Sequence, residues 1–312
     1  MRQHVIRLCE NEIEILSRLR ARQQEYFTQL YGYTYTPSHT SIAMEYMLGG
    51  SMDVVVHKAA KMGKIMPEHD VRKIAKQLIK GLDFLHNTCH IYHRDIKLAN
   101  ILIKSWPKAN DKGTVWHVKI GDFGLSEYVN DLRDIEKRGD GIRQRGTGVY
   151  FSPEHHSDSW YKRTTWDIDH SYRGRVAKAD VWALGVSVYE IMTGTLPFDV
   201  EEGCDIVKER FMAKLKRKIH DKVPVKVPVD NGQATLGLWQ PPKPKPKLTS
   251  LRKYAQGDAD FPAGLAECGV SPLGIRFVQG LLKPDSQKRW TAGQALWHGW
   301  VTLEEDRETN WI

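Results

Sequence analysis

Between Glu10 and Arg20 the apolar positions Ile13, Leu16 and Leu19 recur at helical spacing, and Ile15 widens the stripe. That rhythm predicts an amphipathic helix over "ENEIEILSRLR". Two apolar-rich runs follow, around "FTQLYGYTYT" and "SIAMEYM", and with Pro37, Ser38 and His39 between them they predict a strand pair. "LGGS" at 48–51 breaks regular structure and reads as a hinge. Pro67 suits a first helical position, and beyond it Val71, Ile74, Ala75, Leu78, Ile79, Leu82 and Leu85 form one wide apolar stripe. "KADVWALGVSVYEIMTG", 178–194, is apolar nearly all round, so it is predicted to be a helix in the middle of the fold. "SPLGIRFVQGLL" and "TAGQALWHGWV" read as two closing helices. Val223 to Leu248, rich in Pro and Lys, has no core-facing period and reads as an insertion.

Composition adds little until charge is mapped. The chain has 312 residues, 41% hydrophobic and 27% charged, enough for a large core in an ordinary globular protein. No apolar run approaches bilayer length, and "MRQHVIRLCENEIEILSRLR" has no signal-peptide core. Cys9, Cys89, Cys204 and Cys268 are scattered, with no C-x-x-C. The expectation is an intracellular protein, cytoplasmic or nuclear, with reduced thiols. The net charge of +8 is uneven: Lys208 to Lys253 holds 13 Lys/Arg against 3 Asp/Glu, so that stretch carries +10 and the remainder about −2. A solvated loop, a dock for acidic protein partners, and nucleic-acid contact are three readings of it, in that order. Trp239 and Phe211 are its sole aromatic platforms, so nucleic acid is not the expected partner.

"YHRDIKLANIL", 92–102, sets a carboxylate, a lysine and an amide at fixed offsets: Asp95, Lys97 and Asn100. The pattern H-R-D-x-K-x-x-N arises by chance in about one in ten thousand chains of this length. Downstream stand Asp122-Phe123-Gly124, after a short apolar run, and then "GTGVYFSPE", ending in Ser152-Pro153-Glu154. With this order the chain resembles a eukaryotic protein kinase from about Glu10 to Val301. "DVWALG" at 180–185 and Arg289 in "QKRWTAGQAL" extend the resemblance.

The resemblance implies an α+β, two-lobed fold with a truncated small lobe at 1–47 and a mainly helical large lobe at 48–312, with insertions at about 104–117 and 208–253. It implies transfer of the ATP γ-phosphate to protein hydroxyls with magnesium, protein substrates as partners, and no membrane. Asp95 would accept the substrate hydroxyl's proton, and Lys97 would neutralise charge on the moving phosphoryl group. Asn100 and Asp122 would supply oxygen to magnesium. Glu45 and Met47 would offer backbone groups to adenine beside Met44, with Ser51 near the ribose and Leu102 beneath the purine. Leu16, Leu30, His93 and Phe123 would stack as a spine tied down by Asp180, and Glu154 would pair with Arg289. Lys97 and Thr147 resemble the Ser/Thr-specific branch.

The resemblance has departures. Glu12 fits the helix glutamate that pairs with a strand lysine, yet "MRQHVIRLCEN" before it holds neither that lysine nor a G-x-G-x-x-G. A catalytically impaired pseudokinase, or a truncated fragment, acting as a binding scaffold is therefore the alternative reading. Ala99 places no acid beside Asn100, so a basophilic substrate preference is not expected. Between Tyr128 and Thr147 there is no Ser, Thr or Tyr, so conventional loop phosphorylation is not expected; Asp140 or Glu136 pairing with Arg94 in place of a phosphate and a bare surface loop are two equal readings. Ser126 and Tyr128 remain as less usual modification sites.

Overall fold

The computed structural model describes residues 2–21, 25–36, 39–107, 115–129, 146–156, 168–199 and 248–303. Helix α1 spans Arg2–Arg20, beginning eight residues before the predicted stretch. Its inward face carries polar Asn11 and Glu12 among apolar side chains, and that interruption hides the first turns from a hydrophobic count. Ile15, Leu16 and Leu19 are buried against Phe27 and Leu30, the latter opening strand β1, Leu30–Tyr35. Strand β2, Thr40–Met44, pairs with it antiparallel, Tyr33 opposite Ile42. Residues 37–38 of the expected turn lie outside the described residues.

The segment predicted as a hinge is irregular and is bonded to the strand after the catalytic turn. Gly49 N–H donates to Ile103 O at 2.9 Å and Ile103 N–H to Gly50 O at 2.8 Å. A Cβ on Gly49 would stand 2.5 Å from Ile103 Cγ2, so only glycine lets the two backbones meet. Ser51 then caps helix α2, Met52–Lys61. Helix α3, Glu68–Asp83, buries every stripe residue named above up to Leu82, and Leu85 follows in a π-helical turn over Phe84–Cys89. Pro67 occupies the cap position, one before the helix, because its backbone is extended at ψ 140°.

Two short strand pairs carry the loops that matter. Strand β3, Ile91–Tyr92, pairs with β6, Glu127–Tyr128. Strand β4, Ile101–Ser105, pairs with β5, His117–Ile120. Helix α4, Ile168–Thr193, runs through the middle as expected but starts ten residues earlier, and Asp180 to Thr193 are all buried. A stretch with no polar face has nowhere to lie but between other elements, here α2, α3 and the later helices.

Strand β7, Phe198–Asp199, pairs in parallel with β8, Thr249–Ser250. The chain flanking residues 200–247 is thereby brought together, and the Trp182, Phe198 and Tyr254 rings stack at 5.4 and 5.1 Å. Residues 208–247 of the basic stretch lie outside the described residues; 248–253 enter β8 and helix α5, Leu251–Gln256, whose Leu251 is buried. Helices α6, Gly264–Glu267, and α7, Pro272–Leu281, follow. "TAGQALWHGWV" is two helices rather than one: α8, Ala292–Leu296, and α9, Gly299–Thr302. His298 breaks the run with an extended backbone, ψ 136°, and its ring accepts the Trp300 N–H. Among the described residues no helix is long and apolar enough to cross a membrane.

Candidate active site

The turn after β3 and the loop after β5 are laid side by side by the strand pairs. Gly121 N–H donates to Asn100 O at 2.9 Å, so Asn100 and Asp122 come from adjoining backbones. The His93–Asp95 turn is held from below by the buried carboxylate of Asp180, which accepts His93 N–H and Arg94 N–H, each at 2.8 Å, and bonds His86 Nε2 at 2.9 Å. Burial alone would raise the Asp180 pKa, but the hydrogen bonds from His86 and the Arg94 N–H outweigh it and hold it below the usual range. These bonds keep Arg94 in a left-handed backbone at φ 66°, a strained geometry for a branched turn.

His93 is fully buried and packs edge-on against Phe123 at 5.0 Å. Its Nδ1 accepts Asp95 N–H at 3.3 Å, so its Nε2 carries the hydrogen toward Gly121 O at 3.1 Å. Burial depresses its basicity, consistent with that neutral ring.

Asp95, Lys97, Asn100 and Thr147 form one cluster. Thr147 Oγ1 donates to Asp95 Oδ1 at 2.8 Å and accepts from Lys97 Nζ at 2.9 Å. Lys97 Nζ also bonds Asp95 Oδ2 directly. Asn100 Nδ2 donates to Asp95 O at 2.8 Å and Oδ2 at 3.2 Å. Gly146 admits this approach: at φ +124° it lies so close that a Cβ would meet Arg94 O at 2.5 Å. Asp122 is exposed, with a left-handed backbone at φ 65°. A hard cation that takes few protein ligands would find two protein oxygens here, from Asp122 and the Asn100 amide. That donor set suits magnesium, which keeps water and substrate oxygens for the rest. No cluster of three or more His, Cys, Asp or Glu side chains arranged for a metal occurs among the described residues.

The expected nucleotide contacts are less uniform. Ser51 bridges Leu102 across the strands, and Leu102 lies beside Gly121, next to Asp122. Ser51 Oγ donates to Asp53 Oδ1. Met47 is buried and its carbonyl accepts Gly50 N–H at 3.0 Å. Glu45 N–H is taken by Gln29 O at 2.8 Å. Its side chain does something the sequence reading missed, accepting Lys119 Nζ at 2.7 Å and Lys104 Nζ at 2.9 Å. Burial pushes the Glu45 carboxyl up, and the two lysines more than reverse that.

Glu12 points at the same loop. Its carboxyl is pushed up to about 7 by burial first and by Asp122 second, against a bond from Phe123 that lowers it. Arg94 meets Glu127 at 2.6 Å; the acids expected to pair with it, at 136 and 140, lie outside the described residues. Ser126 is buried and donates to His93 O at 3.3 Å, so it is not open to modification in this structure. Tyr128 stacks under the Arg18 guanidinium at 4.2 Å. The expected Glu154–Arg289 pair forms as a two-pronged contact at 2.7 and 2.9 Å.

A family model described as "Protein kinase domain" matches residues 2–301. Mitogen-activated protein kinase kinase 1 of Arabidopsis thaliana is 26% identical over 289 residues, covering 92% of this chain and 61% of that protein. Mitogen-activated protein kinase kinase 3 of the same plant is 33% identical over 294 residues, 94% of this chain and 42% of that protein. The chain therefore spans less than two thirds of these relatives. In three dimensions it is similar to the crystal structure of the Rad53 kinase domain and SCD2, at TM-score 0.58 and 21% identity over 95% of this chain and 78% of that one. The same kinase domain solved in complex with AMPPNP matches at TM-score 0.58 over 94% of this chain.

Proposed function

The chain belongs to the protein kinase family, and on that premise we propose that it transfers the γ-phosphoryl group of ATP to serine or threonine hydroxyls of proteins. The observation that carries this reading is the Thr147 hydroxyl, joined at once to Lys97 Nζ and Asp95 Oδ1. It fixes a carboxylate and a cation on one polar centre, the arrangement that positioning and charge neutralisation require. Asp95 accepts the proton of the attacking hydroxyl and aims its oxygen. Lys97 balances charge on the moving group. Bound magnesium, held by Asp122 and Asn100, would offset charge on the phosphate oxygens.

Adenine is assigned to the backbone of Glu45 and Met47, the ribose to Ser51, and the underside of the purine to Leu102. Residues 1–47 are assigned to the small lobe and 48–312 to the large one, with insertions at about 104–117 and 208–253. The +10 charge of 208–253 suits an acidic protein partner. Serine/threonine specificity draws support from relatives such as CBL-interacting serine/threonine-protein kinase 13, 33% identical over 192 residues.

One observation favours a second reading, an impaired kinase acting as a scaffold: the Glu12 carboxyl faces Asp122 and is pushed up to about 7, as befits an acid with no cation paired to it among the described residues. Radiolabelled phosphate transfer from ATP to a generic protein substrate separates the two. Transfer abolished by both Asp95→Asn and Asp122→Ala supports the enzyme. No transfer, with magnesium-independent protein binding indifferent to Asp95→Asn, supports the scaffold.

A further inference from the structure

A line of hydrogen bonds reaches the active-site cluster from solvent. His57 on α2 has a half-exposed side chain, and its Nε2 lies 2.9 Å from Oε1 of Glu190, a residue buried in α4. The other carboxylate oxygen accepts the Tyr150 hydroxyl at 2.6 Å. Tyr150 N–H donates to Thr147 O at 2.9 Å, and the Thr147 hydroxyl ends the line on Asp95 Oδ1 at 2.8 Å. Four bonds thus join an exposed imidazole to the central carboxylate, crossing three separate elements.

Each link is costly to leave unmade, since Glu190 and Tyr150 are both buried. Tyr150 stays a phenol: burial first, and Glu190 second, push its pKa well up, so it donates throughout the useful pH range. The imidazole stands at the far end of the line. Glu190 faces His57 from α4, while Asp53 and Lys61 act on it from its own helix; Tyr150 reaches Glu190 from the opposite side.

We propose that His57 is a positioning residue: through Glu190 and Tyr150 it makes the placement of Thr147 and Asp95 depend on pH. The sign follows from the partners. The Glu190 bond, larger than the opposing effect of burial, raises the His57 pKa. The charged pair is complete below the ordinary histidine value and is lost as pH rises through the raised one. Glu190 then draws more on Tyr150, and the segment leading to Thr147 shifts.

The kinetic consequence rests on the proposed kinase activity, so the first readout does not use it. In the full 312-residue chain, the His57 ring resonance and the amides of Thr147 and Tyr150 are followed by NMR from pH 5.5 to 9. The expected result is one shared midpoint, with the amide step abolished by His57→Gln, a change at a half-exposed position that leaves the fold intact. Amides that stay still while the imidazole titrates, or a step that survives in the variant, overturn the proposal. Where transfer is measurable, His57→Gln lowers kcat about threefold at pH 6 with KM for ATP unchanged, and has no effect at pH 9. A kcat loss equal at both pH values also overturns it. Absence of transfer by the wild-type chain would strike the activity alone, and the amides still decide the relay.

Discussion

Arg94 and Glu127, 33 positions apart, meet at 2.6 Å with side chains only 8% and 10% exposed. The pairing arises because β3 and β6 lie in register, Tyr92 opposite Glu127, with Arg94 two residues beyond. The arginine beside the central aspartate thus has a carboxylate partner within the described structure and without any added phosphate. Replacing Glu127 by Ala removes half of a buried ion pair, which costs about 3 kcal/mol. Urea denaturation should show that loss for Glu127→Ala and less for Glu127→Asp, and phosphatase treatment should leave wild-type stability unchanged.

Glu12 makes stability fall with rising pH. Its carboxyl, pushed up to about 7, binds its proton more tightly in the folded chain than in the unfolded one. Between about pH 4.5 and 7 the native state holds the extra proton, so stability declines across that window and levels off above it. After allowance for solvent screening the effect is about 1–3 kcal/mol. Denaturation midpoints at pH 5 and 8 should differ accordingly in the wild type, and Glu12→Gln should remove this component of the difference while stabilising the chain at pH 8.

Thr147 offers a cleaner test of the cluster than Asp95 itself. Its hydroxyl joins two ionised groups, and hydrogen bonds to charged groups are worth about 1.5–3 kcal/mol each. Thr147→Ala should lower kcat for phosphoryl transfer by roughly 10- to 100-fold, with KM for ATP little changed. Thr147→Ser keeps the hydroxyl and should recover most of the rate.

Arg289 holds the lower part of the fold through geometry as well as charge. It is 1% exposed, forks onto Glu154, and donates to the carbonyls of Lys178, Lys283 and Pro284. Arg289→Lys keeps the charge but cannot reproduce the fork, so a loss of about 2–4 kcal/mol is expected in thermal or chemical unfolding. Near-wild-type stability of that variant would show the fork to be dispensable.

Local spacing carried most of what the sequence could reveal. Asp95, Lys97 and Asn100 lie within one turn and the short helical turn before β4, so their chemistry was visible as a motif, and the stripe from Val71 to Leu85 announced its burial by period alone. Contacts between distant segments were not visible. Nothing near Glu45 indicates that Lys119, 74 residues away, will hold its side chain, which is why a backbone role alone was assigned to it. The same holds for His57 and Glu190, 133 residues apart. The start of α1 and the break at His298 escaped for a different reason: polar side chains on an inward face, or a single extended residue, blur the hydrophobic period that marks a helix.

Asn11 gives the fold one more property. Its Nδ2 lies 3.1, 3.2 and 2.8 Å from the carbonyls of Phe123, Gly124 and Ser126, two hydrogens shared among three acceptors. The helix and the loop that bears Asp122 are therefore fastened by a side chain that carries no charge and does not titrate. Thermodynamic linkage makes such a fastening reciprocal: a cation that orders the loop must hold the helix by the same free energy with which a ligand on the helix favours the cation. A ligand on the outer face of α1 is expected to be felt at the loop that bears Asp122, through a fastening that, unlike Glu12 and His57, has no titrating group.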